Sequence, residues 1–276
     1  MTLKQTSAET TTVERRTADA IERAEAERDR IEEKATAFEE FGERVREVSA
    51  DAGQQGGGAT ASANGRLGQS AGSTLAVGTA TGTASASAAE SVREAFTETV
   101  LPYADAGTLS EAMADELSAE LAAALSPAAG GFAPGLKAQL VSRIEARRKE
   151  VGLLADAIGA ERDRIREVAD ELDAITEWLA DADETPLLQL GFEELRERHD
   201  RLASFRETCD RLADERQSAV RGTQNDGLTG IRESELLDHL YGEFEADYPV
   251  LADLAELDAA LADCQRAVRS HLCARV

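Results

Sequence analysis

VGLLADAIGAERDRIREVADELDAITEWLADAD, residues 151–183, decides the fold. Apolar side chains recur at Val151, Leu154, Ile158, Ile165, Val168, Leu172, Ile175 and Leu179, with only the position at Glu161 polar. Steps of three and four alternate throughout. They hold one narrow stripe on one side of a helix, and over four heptads they predict a coiled coil. From Pro134 to Asp183 the only breakers are Gly135, Gly152 and Gly159, so one long helix is expected. Thr185-Pro186 ends it. Leu187, Leu188 and Leu190 follow, placed to plug the end of the seam. From Phe192 to about Val220 a second stripe runs through Leu195, His199, Leu202, Phe205, Cys209, Leu212 and Arg216. Two such helices joined by a short connection must lie antiparallel. The expected core of this hairpin, residues 135–220, is Val151, Leu154, Ile158, Ile165, Val168, Leu172 and Ile175 against Leu195, Leu202, Phe205, Cys209 and Leu212.

Beyond the hairpin, Gly222 to Gly230 reads as a flexible joint. Ser234 is placed to cap a short helix carrying Leu236, Leu237, Leu240 and Phe244. Asp247 with Pro249 marks another helix start, and Val250, Leu254, Leu257, Leu261, Cys264, Val268 and Leu272 make its stripe. Before the hairpin, Thr108 and Glu111 have capping-box spacing and open a helix through Leu109, Met113, Leu117, Leu121 and Leu125. Pro127, Gly130-Gly131 and Pro134 end it. A short helix near residue 89 carries Val92, Phe96, Val100 and Leu101.

The N-terminal third differs in kind. Residues 50–88 are Gly, Ala, Ser and Thr with almost no charge or bulk. Such a tract cannot bury enough surface to offset the entropy of ordering, and it reads as a disordered linker. Residues 12–48 read as a helical arm on that linker, with Ile21, Ala24, Ile31, Ala35, Phe38 and Val45 on its stripe and Arg28 and Gly42 interrupting it. Residues 1–11 are expected to fray. The chain is thus expected to be all-α. A long antiparallel hairpin braced by shorter helices forms a bundle over 89–274, and a separate N-terminal coiled-coil arm spans 12–48.

Charge sets the environment. Lys+Arg total 30 and Asp+Glu 54, for a formal net charge of -24, and only Lys4, Lys34, Lys137 and Lys149 are lysine. In molar salt the Debye length is about 3 Å, so a carboxylate surface repels itself weakly and still holds water. An acidic protein of a salt-in halophile is expected. Direct nucleic-acid binding is not, since that needs cations to neutralise phosphates. No apolar run is long enough to span a bilayer. The start of the chain lacks a secretory pattern, and three cysteines make no disulfide framework. The expected compartment is the cytoplasm.

No residue pattern points to a reaction. Cys209 and Cys264 fall on seams, where a free thiol behaves as a small apolar group. Cys264, His271 and Cys273 match no closed metal-site spacing. Gly56-Gly57-Gly58 lacks the Lys-Ser/Thr of a phosphate loop. Arg143, Arg147, Arg148 and Lys149 form the densest basic patch, and neighbouring carboxylates are expected to neutralise it. Catalytic, cofactor-binding and metal-ligating residues are therefore expected to be none, and the chain not to be an enzyme.

The segments Ser91–Val100, Gly191–Leu195, Phe205–Gln217 and Tyr248–Ala255 resemble a haloarchaeal family of helical proteins classed as a domain of unknown function, number 7260. That resemblance implies a haloarchaeal source and a helical fold, and brings no activity, cofactor or catalytic residue. The function expected from the stripes is protein–protein interaction or structural adaptation, through a protein partner or self-association. The arm residues Ile21, Ile31, Phe38 and Val45 are the candidate seam. The alternative is an accessory factor in transcription or signalling that acts through a protein partner. The partner, the process, the oligomeric state and whether 12–48 docks on the bundle or swings free stay open on sequence.

Overall fold

The computed structural model describes residues 4–50, 80–129, 131–220 and 233–275, and all regular structure among them is helical. In order these are α1 (Lys4–Glu47), α2 (Ala80–Thr99), α3 (Leu109–Glu116), α4 (Ala119–Ala124), α5 (Pro134–Asp183), α6 (Phe192–Val220), α7 (Glu233–Tyr241) and α8 (Pro249–Cys273). Short 3-10 turns lie at Leu101–Tyr103 and Leu187–Gln189. The expected joint at 222–230 and the linker residues 51–79 lie outside the described residues.

The contacts divide the chain into two compact units, residues 30–152 and residues 1–29 with 153–276. In the unit 30–152, aromatic and aliphatic side chains from five helices close one core. Phe41 and Phe96 meet edge to face with ring centroids 5.4 Å apart. Phe38, Val92, Val100, Met113, Leu117, Leu125, Phe132, Leu140 and Ile144 are buried around them. Gly42 lets α1 approach α5: a Cβ there would stand 3.2 Å from Ile144 Cγ2. In the sequence Gly42 interrupts the stripe, whereas in the fold it is a point of close contact. Lys137 Nζ donates to the carbonyls of Arg46 (2.6 Å) and Val48 (2.7 Å), which satisfies acceptors left open where α1 ends.

Four boundaries differ from expectation. The short helix expected to be capped by Ser234 and to carry Phe244 is α7, which begins at Glu233 with Ser234 inside it and ends at Tyr241, short of Phe244. Residues 80–88, expected as linker, open α2, because alanine is the strongest helix former and Ala89 is buried. The helix expected from Leu109 through Leu125 is two helices. Thr108 caps α3 by accepting from Glu111 N at 3.3 Å. Ser118, in extended backbone, caps α4 by accepting from Leu121 N at 3.1 Å. A residue that satisfies the N-terminus of a new helix stops the old one. At the chain start, α1 begins at Lys4 rather than near Thr12.

In the other unit, α1 (to Asp29), α5 (from Leu153), α6 and α8 make four long helices joined by α7. Equal heptad steps fix the hairpin. Arg216 bonds Glu161, which sets Ile165 level with Leu212, Leu172 with Phe205 and Ile175 with Leu202; all six are buried. Trp178 packs edge-on to Phe205 at 5.1 Å. Arg206 holds Asp258 of α8 at 2.7 Å. Arg166 of α5 reaches Glu25 of α1. The spacings place α1 and α6 in one direction and α5 and α8 in the other.

This register also sorts the expected hairpin core. Ile158, Leu195 and Cys209 are buried as expected, while Val168 is half-buried. Because α6 ends near the level of Ile158, Val151 and Leu154 lie beyond it. Val151 is buried in the unit 30–152, and Leu154 is half-buried. Truncating Leu172 to Ala, at 2% exposure, is expected to cost about 2–5 kcal/mol. A denaturant midpoint in molar KCl that does not move would refute the seam.

Candidate functional site

The buried side of α1 is Thr17, Ala20, Ala24, Glu27, Ile31, Lys34, Phe38, Phe41 and Val45. These alternate in steps of three and four without a gap. Of the seam residues expected from sequence, Ile31, Phe38 and Val45 lie on this line, and Ile21 is half-buried beside it. The arm therefore docks inside the chain: residues 17–27 within one unit and 31–45 within the other. Its stripe is already occupied.

Three seam positions of α1 are polar, and each meets a partner. The Thr17 backbone N–H and hydroxyl donate to Asp253 Oδ2 at 2.8 and 2.7 Å, and Arg16 reaches Asp253 Oδ1 at 3.3 Å. Glu27 Oε1 lies 2.9 Å from His239 Nε2. Lys34 Nζ lies 2.6 Å from Glu116 Oε1, and Arg147 Nε lies 2.9 Å from Glu116 Oε2. A fourth polar layer closes the hairpin. Arg216 donates to both oxygens of Glu161 at 2.8 and 2.5 Å, and Glu161 is fully buried. The Tyr241 hydroxyl adds a bond to Glu161 at 3.3 Å.

The electrostatics of these groups are structural. Burial pushes the Asp253 carboxyl up, and the bonds from Thr17 and Arg16 offset this only in part. The stability linked to Asp253 is thus greatest at acid pH and declines as pH rises through the window above its unfolded value. Burial, then the Glu161 charge, pushes the Tyr241 hydroxyl up. Burial also pushes the Cys209 thiol up to about 11 and raises that of Cys264. Thiolate is the reactive form, so both are poor nucleophiles. His199 is half-buried and stands 3.4 Å from Asp200. Among the described residues no three His, Cys, Asp or Glu side chains gather as a metal site would require.

The three arginines of the basic patch are spent internally, while Lys149 is exposed. Arg143 Nε donates to the Leu117 carbonyl at 2.6 Å and its Nη1 to Glu150 at 2.9 Å. Arg147 serves Glu116 and Glu150, and Arg148 pairs with Glu39 at 3.1 Å.

Four large apolar side chains stay outward among the described residues: Leu153, Tyr248 and two at the hairpin tip, Leu188 and Phe192. Of the three leucines expected to plug the seam, Leu190 is buried, Leu187 half-buried and Leu188 77% exposed. Phe192, the first residue of α6, is 46% exposed. The turn is nonetheless rigidly bonded. Arg275 donates to the carbonyls of Leu188 (3.0 Å), Leu187 (3.4 Å) and Leu190. Gly191 N donates to Glu194 Oε2 at 2.5 Å, and Arg198 to the Thr185 carbonyl at 3.3 Å. Leu188 faces out because the short 3-10 turn can aim only some of its side chains at the seam.

The family model described as a domain of unknown function, DUF7260, matches residues 15–265. The chain belongs to the DUF7260 family. That match takes in α2 to α7, most of α1 and α8, and the exposed tip. No curated protein and no solved structure matches the chain. No described helix of this DUF7260 protein is long and apolar enough to cross a membrane.

Two measurements probe the buried chemistry. Glu161→Leu alone removes the carboxylate that holds buried Arg216 and is expected to cost about 3–5 kcal/mol, while Glu161→Leu with Arg216→Leu is expected to recover most of it. Equal loss in both variants would contradict a paired layer. In native protein, Cys273, which is exposed, should react with a thiol reagent at least tenfold faster than Cys209 or Cys264. Uniform labelling would contradict the buried placement.

Proposed function

We propose that the chain is a non-catalytic coiled-coil adaptor of a haloarchaeal cytoplasm, working by protein–protein contact at the tip of the α5–α6 hairpin. The observation that carries this is Leu188, held outward with Phe192 on a turn whose backbone is bonded at five points. An exposed apolar pair on a pre-organised backbone loses little entropy on docking. The absence of a catalytic role is part of the proposal. It is supported by ion pairs that close on one another and by two thiols held protonated. The haloarchaeal assignment rests on the net charge of -24 and the four lysines.

A partner found by photo-crosslinking from position 188 in host cells, and then purified, provides the test. Leu188→Ser with Phe192→Ser is expected to weaken its binding at least tenfold in molar KCl, with helicity unchanged. Unchanged affinity would overturn the proposal.

A further inference from the structure

On the outer face of the hairpin a groove of about 680 Å³ lies between α5 and α6. Its α5 side extends from Arg164 to Ala174, about 15 Å or three helical turns. Val168, Ala174, Leu212 and Ala219 supply its apolar surface. Val168 stands at a seam position, and its seam neighbours Ile165 and Leu172 are buried, yet it is itself only half-buried. Small side chains at Ala174 and Ala219 leave room for larger ones brought from outside.

The two walls differ in charge. On α6, Arg211 and Glu215 neutralise each other at 3.0 Å. On α5, Glu167, Asp170 and Glu171 are exposed and form no ion pair among the described residues. Arg164 on the same wall and Arg216 on the other both lie beside Glu161, so Glu167, Asp170 and Glu171 are the acids left to face a helix-length trough. A second copy of this chain is a poor occupant, because the three arginines of its densest basic patch are already held by Glu39, Glu116 and Glu150, and Lys149 alone is a single cation against three carboxylates.

We infer that this groove takes a cationic amphipathic helix of a different protein, its apolar face on Val168, Ala174 and Ala219 and its cations along Glu167, Asp170 and Glu171. This rests on reading the chain as a protein-contact module, and it names a surface separate from the tip. It is the helix-in-groove mode, in which apolar anchors about one turn apart seat the helix and flanking charge orients it.

The probe is a fluorescent 15-residue Lys/Leu amphipathic peptide, titrated against the full chain in molar KCl. The comparison peptide keeps the lysines and carries serine for leucine. Expected are one peptide per chain and at least tenfold weaker binding of the serine peptide. Asp170→Lys with Glu171→Lys should also weaken binding at least tenfold. The matched reversal Asp19→Lys with Glu22→Lys, exposed on α1, should change it less than twofold. Circular dichroism verifies the helix content of each variant. Equal loss from the two reversals, or equal binding of the two peptides, would overturn the inference as diffuse attraction. Leu188→Ser should leave peptide binding unchanged. Failure of the groove therefore leaves the tip standing, and failure of the tip leaves the groove standing.

Discussion

A carboxylate sealed inside a helical seam has to find a cation, and Glu161 finds Arg216. Removing either partner leaves a buried charge, an expensive state, whereas the intact pair adds little net stability over an apolar layer. The value of such a pair is positional. With Arg216 opposite Glu161, each heptad layer of the hairpin has one partner, and a slip of one turn would set both charges against apolar side chains. The same logic recurs along α1. Thr17 addresses Asp253 on α8, Glu27 addresses His239 on α7, and Lys34 addresses Glu116 at the end of α3. Three polar positions with three different addressees admit one docking register.

This explains why the aliphatic content can be thin. A stripe two side chains wide, often alanine, does not distinguish registers by packing alone. Polar layers do so at a cost in stability, and the surrounding Ile, Leu and Phe offset that cost by burial of roughly 25 cal/mol per Å². The surface follows from the same economy. Carboxylates crowd the exposed faces, and most arginines are engaged by nearby acids or carbonyls.

The hairpin was legible in the sequence because α5 keeps its frame through four heptads with one polar interruption, and α6 repeats it. Glu161 and Arg216 were visible as polar members of the two frames, and an antiparallel pairing brings them level. The frame of α1 was not legible. Glu27 and Lys34 look like solvated residues in a sequence, so the apolar Ile21 and Ala35 drew the stripe to one side of the true line. Only the partner across the seam distinguishes a buried Lys from an exposed one, and Glu116 lies far along the chain. Ser118 was hidden as well, since a serine amid alanines caps a helix only if the backbone turns there. The tip differs from expectation for a geometric reason: Leu187, Leu188 and Leu190, crowded on one short turn, cannot all point into one seam.

The central claim is that α1 is an integral helix held by its polar layers. Hydrogen exchange of the full chain in molar KCl, followed by mass spectrometry, tests it most directly. Amides of residues 17–45 should be protected to the same degree as those of the α5–α6 hairpin. Exchange of that segment at the rate of an unstructured peptide, with the hairpin still protected, would contradict the account.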